Sequence, residues 1–265
     1  MNRTGLLIAL GLAAVIGLIF GIFPQLDLRF AAPFSDIIRD EVRFGLRFDP
    51  ALTWLRDAGL WVPAVLAAPA VIALIVKLLL PRTRLLISGR AIVFLLTTLI
   101  LAPGLLANGV LKEHWGRPRP IEVTEFGGSD RFVAWWDPRG GCPQNCSFVT
   151  GDGSAAFWTL APAALTPPAW RPLAYGAAIA FGTGLSLLRM AFGAHFLTDV
   201  VFAGVFTFLI IWLVHGLIYR WPRTRFSDEA VEHKIEQVAM LGHRRVTALF
   251  AAMVGRLRRL SGRAS

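Results

Sequence analysis

Three side chains that can perform chemistry, Arg189, His195 and Asp199, lie close together between two strongly apolar segments. His195 and Asp199 are four residues apart, so a helix through both would place them on one face, within hydrogen-bonding reach. A carboxylate that holds one imidazole nitrogen leaves the other free as a nucleophile or base. The planar fork of Arg189 suits a phosphate. The alternative is structural, a packed histidine beside an ion pair at a helix end, although charges in apolar surroundings are costly and need a reason.

A second polar group lies in the segment 112–120, which contains Lys112, Arg117 and Arg119. A glycine and two prolines in this segment end the preceding helix and stiffen the chain. Lys112 is therefore predicted at a helix end, with Arg117 and Arg119 on a rigid turn. A lysine that extends to the membrane surface is the structural alternative. The grouping with two arginines favours an anion-binding site, in which lysine is a mobile point charge and arginine a bidentate clamp.

A third polar group, residues 147–154, opens another apolar segment with glycine and hydroxyl residues. Such residues at a helix start leave backbone N–H groups free, and these groups together with the helix dipole favour a phosphate. Thr150 and Gly151 are the candidates. For Asp152 alone, the structural explanation is favoured, in which its carboxylate caps the first turn.

The surrounding sequence is typical of an integral membrane protein: 55% of the residues are hydrophobic, 17% are charged, and the mean hydropathy is +0.58. A span needs roughly 20 mostly apolar residues. Six segments qualify, namely 5–23, 61–80, 91–111, 153–170, 174–191 and 198–219. Three prolines interrupt the fourth, but prolines are tolerated in membrane helices. The predicted fold class is therefore all-α, a polytopic membrane protein with six transmembrane helices.

The first apolar segment is predicted to be a retained helix. Its apolar run is long, and no small-x-small cleavage site precedes the charged stretch that follows, as a signal peptide would require.

Basic residues set the predicted orientation. The short connection after the second span holds three arginines, and residues 220–265 hold ten Lys and Arg against four Asp and Glu, or +6 of the net charge of +10. If six helices alternate, these places lie on one side, so both termini are predicted to be cytoplasmic. The positive charge is thus explained by membrane topology, and no nucleic-acid partner is expected.

Two amphipathic regions flank the spans. Residues 1–220 are predicted to form the membrane domain and residues 221–265 a basic amphipathic tail on the anionic inner leaflet. In the first external connection, 24–60, charged and apolar residues are spaced as in amphipathic helices at the membrane interface. The pattern is compatible with two roles for this connection: a passive shelf at the membrane interface, or a gate through which lipid enters.

The two cysteines, Cys142 and Cys146, lie in the predicted external connection 112–152. An oxidising periplasm permits a disulfide there. Metal binding is the alternative, but two thiols without nearby histidines make a poor metal site. A disulfide would close a tight loop immediately before the third polar group and help to fix its geometry.

Together the three polar groups resemble the motifs of the type 2 phosphatidic acid phosphatase superfamily. The matching positions are Lys112, six residues and Arg119-Pro120; Val149-Thr150-Gly151-Asp152 in place of the usual Pro-Ser-Gly-His; and Arg189, five residues, His195, three residues and Asp199. Leu188 stands where the third motif usually has serine. The resemblance covers about residues 91–215, and the six-helix topology extends it to residue 5.

The resemblance implies a metal-independent phosphatase without a cofactor that works through a phosphohistidine. By position, His195 would be the nucleophile, and Asp199 would orient it and stabilise its charge. The residues that would bind the phosphoryl oxygens are Lys112, Arg119, Arg189, Thr150 and Gly151. Phosphoryl transfer mostly needs positioning and charge neutralisation, so three cations can supply what Mg²⁺ supplies elsewhere.

Asp152 is the departure from the family, which usually has a histidine here that protonates the leaving oxygen. An aspartate can do this only when it carries a proton, which nearby cations would oppose and burial under lipid would favour. Asp152 is a candidate catalytic acid. The alternatives are that it positions water or a sugar hydroxyl, or that it only caps the helix.

The implied function is removal of phosphate from a membrane lipid at the periplasmic face of a bacterial inner membrane. The candidate substrates are the lipid A disaccharide, which is favoured, polyprenyl diphosphate, phosphatidylglycerophosphate and phosphatidic acid. A non-catalytic lipid-phosphate binder or transporter is the alternative from another class, although His195, Asp199 and the three expected cations argue against it. A vanadium-dependent haloperoxidase would share the anion-binding residues, but those enzymes are soluble and the six spans argue against one.

Overall fold

The computed structural model of the chain describes residues 3–38, 41–223 and 226–261. Its α-helices are α1 (Arg3–Ile22), α2 (Gln25–Ala31), α3 (Pro50–Leu79), α4 (Gly89–Leu99), α5 (Lys112–His114), α6 (Gly151–Phe157), α7 (Leu160–Leu165), α8 (Arg171–Ala191), α9 (Leu197–His215) and α10 (Asp228–Ser261). Two π-helical segments, Ile100–Leu111 and Gly216–Arg220, join α4 to α5 and extend α9. Two strands, β1 (Asp36–Ile38) and β2 (Glu41–Arg43), form a hairpin. The 3₁₀ turns are Ala32–Phe34, Gly45–Phe48, Pro120–Glu122 and Thr124–Phe126.

Five helices in the described part of the chain are long and apolar enough to cross a membrane: Arg3–Ile22, Pro50–Leu79, Gly89–His114, Arg171–Ala191 and Leu197–Arg220. They confirm a helical membrane protein and match five of the six predicted spans. The second helix starts well before the predicted span 61–80. Asp49 explains the early start, because its carboxylate accepts from the backbone N–H groups of Ala51 (2.8 Å) and Leu52 (3.1 Å), and Pro50 suits the first helical position.

The fourth predicted span, 153–170, is two short helices, α6 and α7, with a turn at Trp158 and Thr159 between them. Pro162 explains the break, because it has no N–H to donate to the carbonyl of Trp158 four residues earlier. Side chains stabilise the turn: the Thr159 hydroxyl donates to a carbonyl of α6 (2.7 Å), and the Trp158 indole donates to the Thr98 hydroxyl (3.0 Å). This segment is therefore not a continuous spanning helix as predicted.

The connection between α1 and α3 differs from the predicted set of interfacial helices. In its described residues, α2 is the α-helix that precedes α3, and β1 and β2 pair in antiparallel register, with Asp36 opposite Arg43. In β2, Glu41-Val42-Arg43, polar and apolar residues alternate as suits a strand, whose successive side chains point to opposite faces. Arg39 and Asp40, which belong to the charged and apolar pattern that predicted interfacial helices, lie outside the described residues.

Close packing of α6 against α8 depends on glycine. The backbone of Gly182 lies against the ring of Phe157 and that of Gly153 against the hydroxyl of Ser186, so a Cβ at either glycine would overlap its neighbour. Small residues are typical of helix contacts in membranes, because they let two backbones approach each other. The contact places α6 beside the end of α8 that carries Arg189.

α10 is one continuous helix that packs on α3 and α4. Lys77 at the end of α3 is buried and donates to Glu232 (3.0 Å), and Arg90 at the start of α4 forms an ion pair with Asp228 (2.8 Å). The Lys77 ammonium lowers the pKa of Glu232. Ion pairs therefore attach the basic tail to the membrane helices over its first turns.

Replacing Gly182 with alanine should destabilise the protein, because the new methyl group would overlap the ring of Phe157. Overpacking of this kind costs about 1–3 kcal/mol, so we expect a lower Tm in detergent, measured by intrinsic fluorescence. Gly176→Ala is the matched control, since Gly176 lies on the same helix with open space at its Cβ position. Equal melting temperatures for the two variants would contradict the close contact between α6 and α8.

Candidate active site

The turn that carries His195 begins with a Schellman cap at the end of α8. Gly193 has a left-handed conformation (φ 68°) and donates its N–H to the carbonyl of Met190 (2.9 Å), while Ala194 donates to the carbonyl of Arg189 (3.1 Å). Glycine takes this conformation without strain, which explains why it ends the helix. His195 follows the cap directly, so the helix end that holds Arg189 also places His195.

The His195 ring is 1% exposed, and its Nδ1 lies 2.6 Å from the carbonyl oxygen of Ser147. A carbonyl only accepts hydrogen bonds, so Nδ1 carries the proton and the lone pair of the neutral ring is on Nε2. Burial lowers the pKa of His195 well below its ordinary value. Three cations lower that pKa further, namely Arg189, Lys112 and Arg119. The ring is therefore neutral at physiological pH.

Asp199 is connected to His195 by hydrogen bonds through Ser147, which contacts both residues. α9 begins at Leu197, so His195 precedes the helix, and the prediction that the two residues share one helix face was wrong. Their closest atoms, Nδ1 and Oδ2, are 3.9 Å apart, which is too far for a hydrogen bond. Asp199 accepts instead from the Ser147 hydroxyl (2.5 Å) and from the backbone N–H of Phe196 (2.8 Å), which caps α9. The carboxylate thus orients the residue whose carbonyl holds the histidine.

Arg117 is fully buried behind this turn. Its guanidinium pairs with Asp199 (2.5 Å) and with Asp27 of α2 (2.7 Å), and lies 4.4 Å from the centroid of the Phe196 ring. Burial alone would lower the pKa of Arg117, but the two carboxylates raise it above its ordinary value, so the group stays charged. The prediction of Arg117 in an anion-binding turn was wrong, because it binds two carboxylates of this chain. Asp27 was missed, since an isolated acid after an apolar helix gives no local signal.

The structure joins Cys142 and Cys146 in a disulfide, which closes a loop beside Lys112 and Arg119. The backbone N–H of Cys146 donates to the carbonyl of Lys112 (2.8 Å). Asn145, in a left-handed conformation (φ 53°), accepts from Nη2 of Arg119 at its carbonyl oxygen (2.7 Å) and at its side-chain oxygen (2.8 Å). The loop is therefore attached to the helix end that carries Lys112, and it orients the Arg119 guanidinium.

Thr150 and Gly151 form the start of α6. The Thr150 hydroxyl oxygen accepts from the N–H of Gly153 (3.2 Å) and caps the helix. Gly151 lies so close to Asn108 that a Cβ would overlap the side-chain amide. Because Thr150 provides the cap, the alternative that Asp152 caps α6 was wrong.

Asp152 lies between two arginines. Its Oδ2 accepts from Nε (2.9 Å) and Nη2 (2.8 Å) of Arg56 and is 3.1 Å from Nε of Arg189. Arg56 was missed in the sequence, because the predicted second span began at residue 61 and left Arg56 in the external connection. Its one local signal is the charged pair Arg56-Asp57 inside an otherwise apolar run.

These groups form one cationic cluster around a neutral histidine. The charges of Arg119, Asp152 and Arg189 all act on Lys112, so the residues of the three polar groups meet in space. Among residues 3–38, 41–223 and 226–261, no three His, Cys, Asp or Glu side chains are grouped so that they could hold a metal ion. The arrangement can bind a phosphoryl group by charge and attack it with Nε2 of His195.

Comparison with known proteins gives one family. A family model described as the PAP2 superfamily matches residues 91–225. The "Lipid A 4'-phosphatase" of Francisella tularensis subsp. novicida (strain U112) is 35% identical over 221 residues, which cover 83% of this chain and 98% of that protein. The "Lipid A 4'-phosphatase" of Rhizobium leguminosarum is 42% identical over 106 residues, 40% of this chain and 46% of that protein. No solved structure matches the chain.

The His195 ring should titrate below its ordinary pKa of 6.5, because burial and three cations disfavour its protonated form. The neutral ring should therefore persist as the pH falls through 6.5, and should be lost only at lower pH. The test is NMR of protein labelled with ¹³C at histidine Cε1, with the resonance assigned by its absence in His195→Ala. Arg119→Gln removes one cation and should raise the midpoint. A wild-type midpoint at or above 6.5 would contradict the burial of the ring.

Proposed function

This chain belongs to the PAP2 superfamily and is a membrane phosphatase, and we propose that it removes phosphate from a lipid through a phosphohistidine. The observation that carries the proposal is the 2.6 Å contact between Nδ1 of His195 and the carbonyl of Ser147. A ring held in this way has its proton on Nδ1 and its lone pair on Nε2, the atom that attacks phosphorus.

In the first step, the Nε2 lone pair forms a bond to phosphorus while the bond from phosphorus to the ester oxygen breaks. The electron pair of that bond stays on the leaving oxygen, which takes a proton from water and leaves hydroxide. The His195 ring becomes positively charged. The Asp199 carboxylate, 3.9 Å from Nδ1, stabilises that charge.

In the second step, the hydroxide attacks phosphorus on the far side from Nε2 and the bond between phosphorus and nitrogen breaks. Its electron pair returns to Nε2, so the ring is neutral again, and inorganic phosphate leaves. The net reaction consumes one water molecule and needs no metal ion or cofactor.

Three cations neutralise the phosphoryl oxygens in both steps. Lys112 acts as a point charge at its helix end, whereas Arg119 and Arg189 act as forks. The Gly151 backbone at the start of α6, which the Thr150 hydroxyl caps, completes the site. Cations held in place before the substrate arrives stabilise the transition state without a further cost of reorganisation.

The favoured substrate is a lipid A-type disaccharide, cleaved at its 4′ phosphate. The support is the relative that this chain covers over 98% of its length, whose name states that activity. Trp54 and Trp61, on either side of Arg56 along α3, are exposed, as is typical of aromatic side chains at a membrane surface. They support a lipid presented at that surface. Polyprenyl diphosphate and phosphatidylglycerophosphate are the alternatives that the same chemistry allows.

The proposed orientation places the site in the periplasm of a bacterial inner membrane, with both termini in the cytoplasm. Arg56, in the cluster, and Lys77, against α10, are 21 residues apart on α3, or about 32 Å at ~1.5 Å per residue. That distance is close to the roughly 30 Å of the hydrocarbon core, so the site and the basic α10 lie at opposite faces. The short helices α6 and α7 together supply the sixth crossing.

His195→Ala should abolish phosphate release from a panel of lipid phosphates in detergent, because it removes the proposed nucleophile. The wild-type activity should survive EDTA and be blocked by vanadate. Lys112→Ala should lower kcat by about 10²–10³-fold, as for loss of one donor to a transition-state charge. Acid quenching with ³²P-labelled substrate should trap an acid-labile phosphoprotein.

His114→Ala is the matched control, since His114 is exposed near Lys112 and takes no part in the site. It should keep wild-type turnover. Wild-type turnover in His195→Ala, or loss of activity with EDTA, would rule out the proposed mechanism.

The orientation can be tested with a C-terminal epitope tag in intact spheroplasts. Because α10 and its basic residues are assigned to the cytoplasm, the tag should resist added protease until the membrane is permeabilised. A cysteine introduced at Ser129, in the loop beside the site, should react with an impermeant maleimide in intact cells. A protease-sensitive tag with an unreactive Ser129→Cys would reverse the assignment.

A further inference from the structure

Asp152 joins arginines from two helices at one oxygen atom. Arg56 of α3 uses Nε and Nη2 on Oδ2 of Asp152, and its Nη1 donates to Asp57 (3.0 Å). Arg189 of α8 approaches the same Oδ2 with Nε at 3.1 Å. Every guanidinium nitrogen of Arg56 is thus engaged with a carboxylate of this chain. Among the described residues, this Nε makes no hydrogen bond, so its contact with Asp152 is an ion pair held by charge.

This arrangement does not suit a proton donor. Guanidinium groups only donate hydrogen bonds, so Oδ2 of Asp152 is the acceptor in both of its hydrogen bonds with Arg56. A proton on either oxygen would neutralise the Asp152 carboxylate, so both hydrogen bonds from Arg56 and the ion pair with Arg189 would lose their negative partner. The position that the superfamily commonly uses for an acid is therefore used here to hold cations.

Arg189 needs such an anchor, because it lies among like charges. Three arginines repel its guanidinium electrostatically, namely Arg47, Arg56 and Arg119, whereas Asp152 attracts it. A long side chain surrounded by like charges has several directions in which to turn away. Only a fixed counter-charge keeps it pointing at one place.

We propose that Asp152 is a positioning residue and that Arg56 is a further residue of the phosphate site. The inference rests on the proposed phosphatase function and deepens it. Arg56 holds Asp152, Asp152 holds Nε of Arg189, and the two Nη atoms of Arg189 bind the phosphoryl oxygens. The leaving oxygen takes its proton from water, so Asp152 gives up no proton in the reaction.

The first experiment compares two lipid phosphates in detergent without added metal. They carry the same acyl chain and differ only in the leaving group, which is an alkoxide in one and a phenolate in the other. A phenolate leaves without protonation, whereas an alkoxide needs a proton in the transition state. If Asp152 positions Arg189, Asp152→Asn should lower kcat/KM by the same factor on both substrates, on the order of 10²-fold as for a misplaced binding group. A loss confined to the alkyl ester would identify Asp152 as the acid and overturn the inference.

The second experiment is a double-mutant cycle. Arg56→Ala should lower kcat/KM on both substrates, and the double variant with Asp152→Asn should be no slower than the slower single variant, because both changes release Arg189. Independent losses that multiply in the double variant would overturn the coupling. Arg56→Lys keeps the charge but lacks the fork, so it should fall between Arg56→Ala and wild type.

Arg139→Ala is the matched control, since Arg139 forms an exposed ion pair with Asp137, away from the cluster. It should keep wild-type kcat/KM. Each variant is compared with wild type in a thermal melt, and Arg56→Lys serves in place of Arg56→Ala if the latter does not fold.

The phosphatase function and the role of Asp152 are overturned by different results. If the wild type releases no phosphate, or if His195→Ala is fully active, the proposed function fails. If turnover depends on His195 but the Asp152→Asn loss depends on the leaving group, or multiplies with that of Arg56→Ala, only the present inference fails.

Discussion

One buried guanidinium holds the active-site turn together. Arg117 pairs with Asp27 and Asp199, so a single cation joins α2, the turn after α5 and the start of α9. Removing one partner of a buried ion pair costs about 3–5 kcal/mol, because the remaining charge is left without compensation. The contacts of Asp199 with Ser147 then transmit that rigidity to the ring of His195. The proposed nucleophile, His195, is therefore placed by residues that take no part in the proposed chemistry.

A second set of contacts fixes the cations. Arg119 is held by Asn145, and Arg189 lies against Asp152, which in turn accepts from Arg56. Each of the two arginines proposed to bind phosphate thus has a partner on another part of the chain. The cluster keeps an excess of positive charge, because its four cations, Arg56, Lys112, Arg119 and Arg189, outnumber the two carboxylates, Asp57 and Asp152, that pair with its arginines. The positive charge that would attract a phosphate also makes the cations repel one another. Asn145 and Asp152 hold the arginines in place against that repulsion.

The sequence predicted the parts of the site that depend on local spacing. The five residues between Arg189 and His195 are the length of the Schellman cap and the residues around it, so the motif describes a real turn. Contacts between residues far apart in the sequence have no local pattern from which they could be predicted. Asp27 contacts Thr198 across 171 residues, and Arg56 contacts Asp152 across 96. Hydropathy found the long helices, but it could not show that Pro162 divides one apolar segment in two, nor that a cap at Asp49 starts α3 early.

The loop closed by Cys142 and Cys146 determines when Arg119 loses its freedom. A free arginine side chain has roughly 2 kcal/mol of rotamer entropy to lose when it binds. Here Asn145 already restrains it, and the disulfide restrains Asn145. In the proposed role of Arg119, that entropy is therefore lost when the chain folds, and is not lost again each time a phosphate group binds.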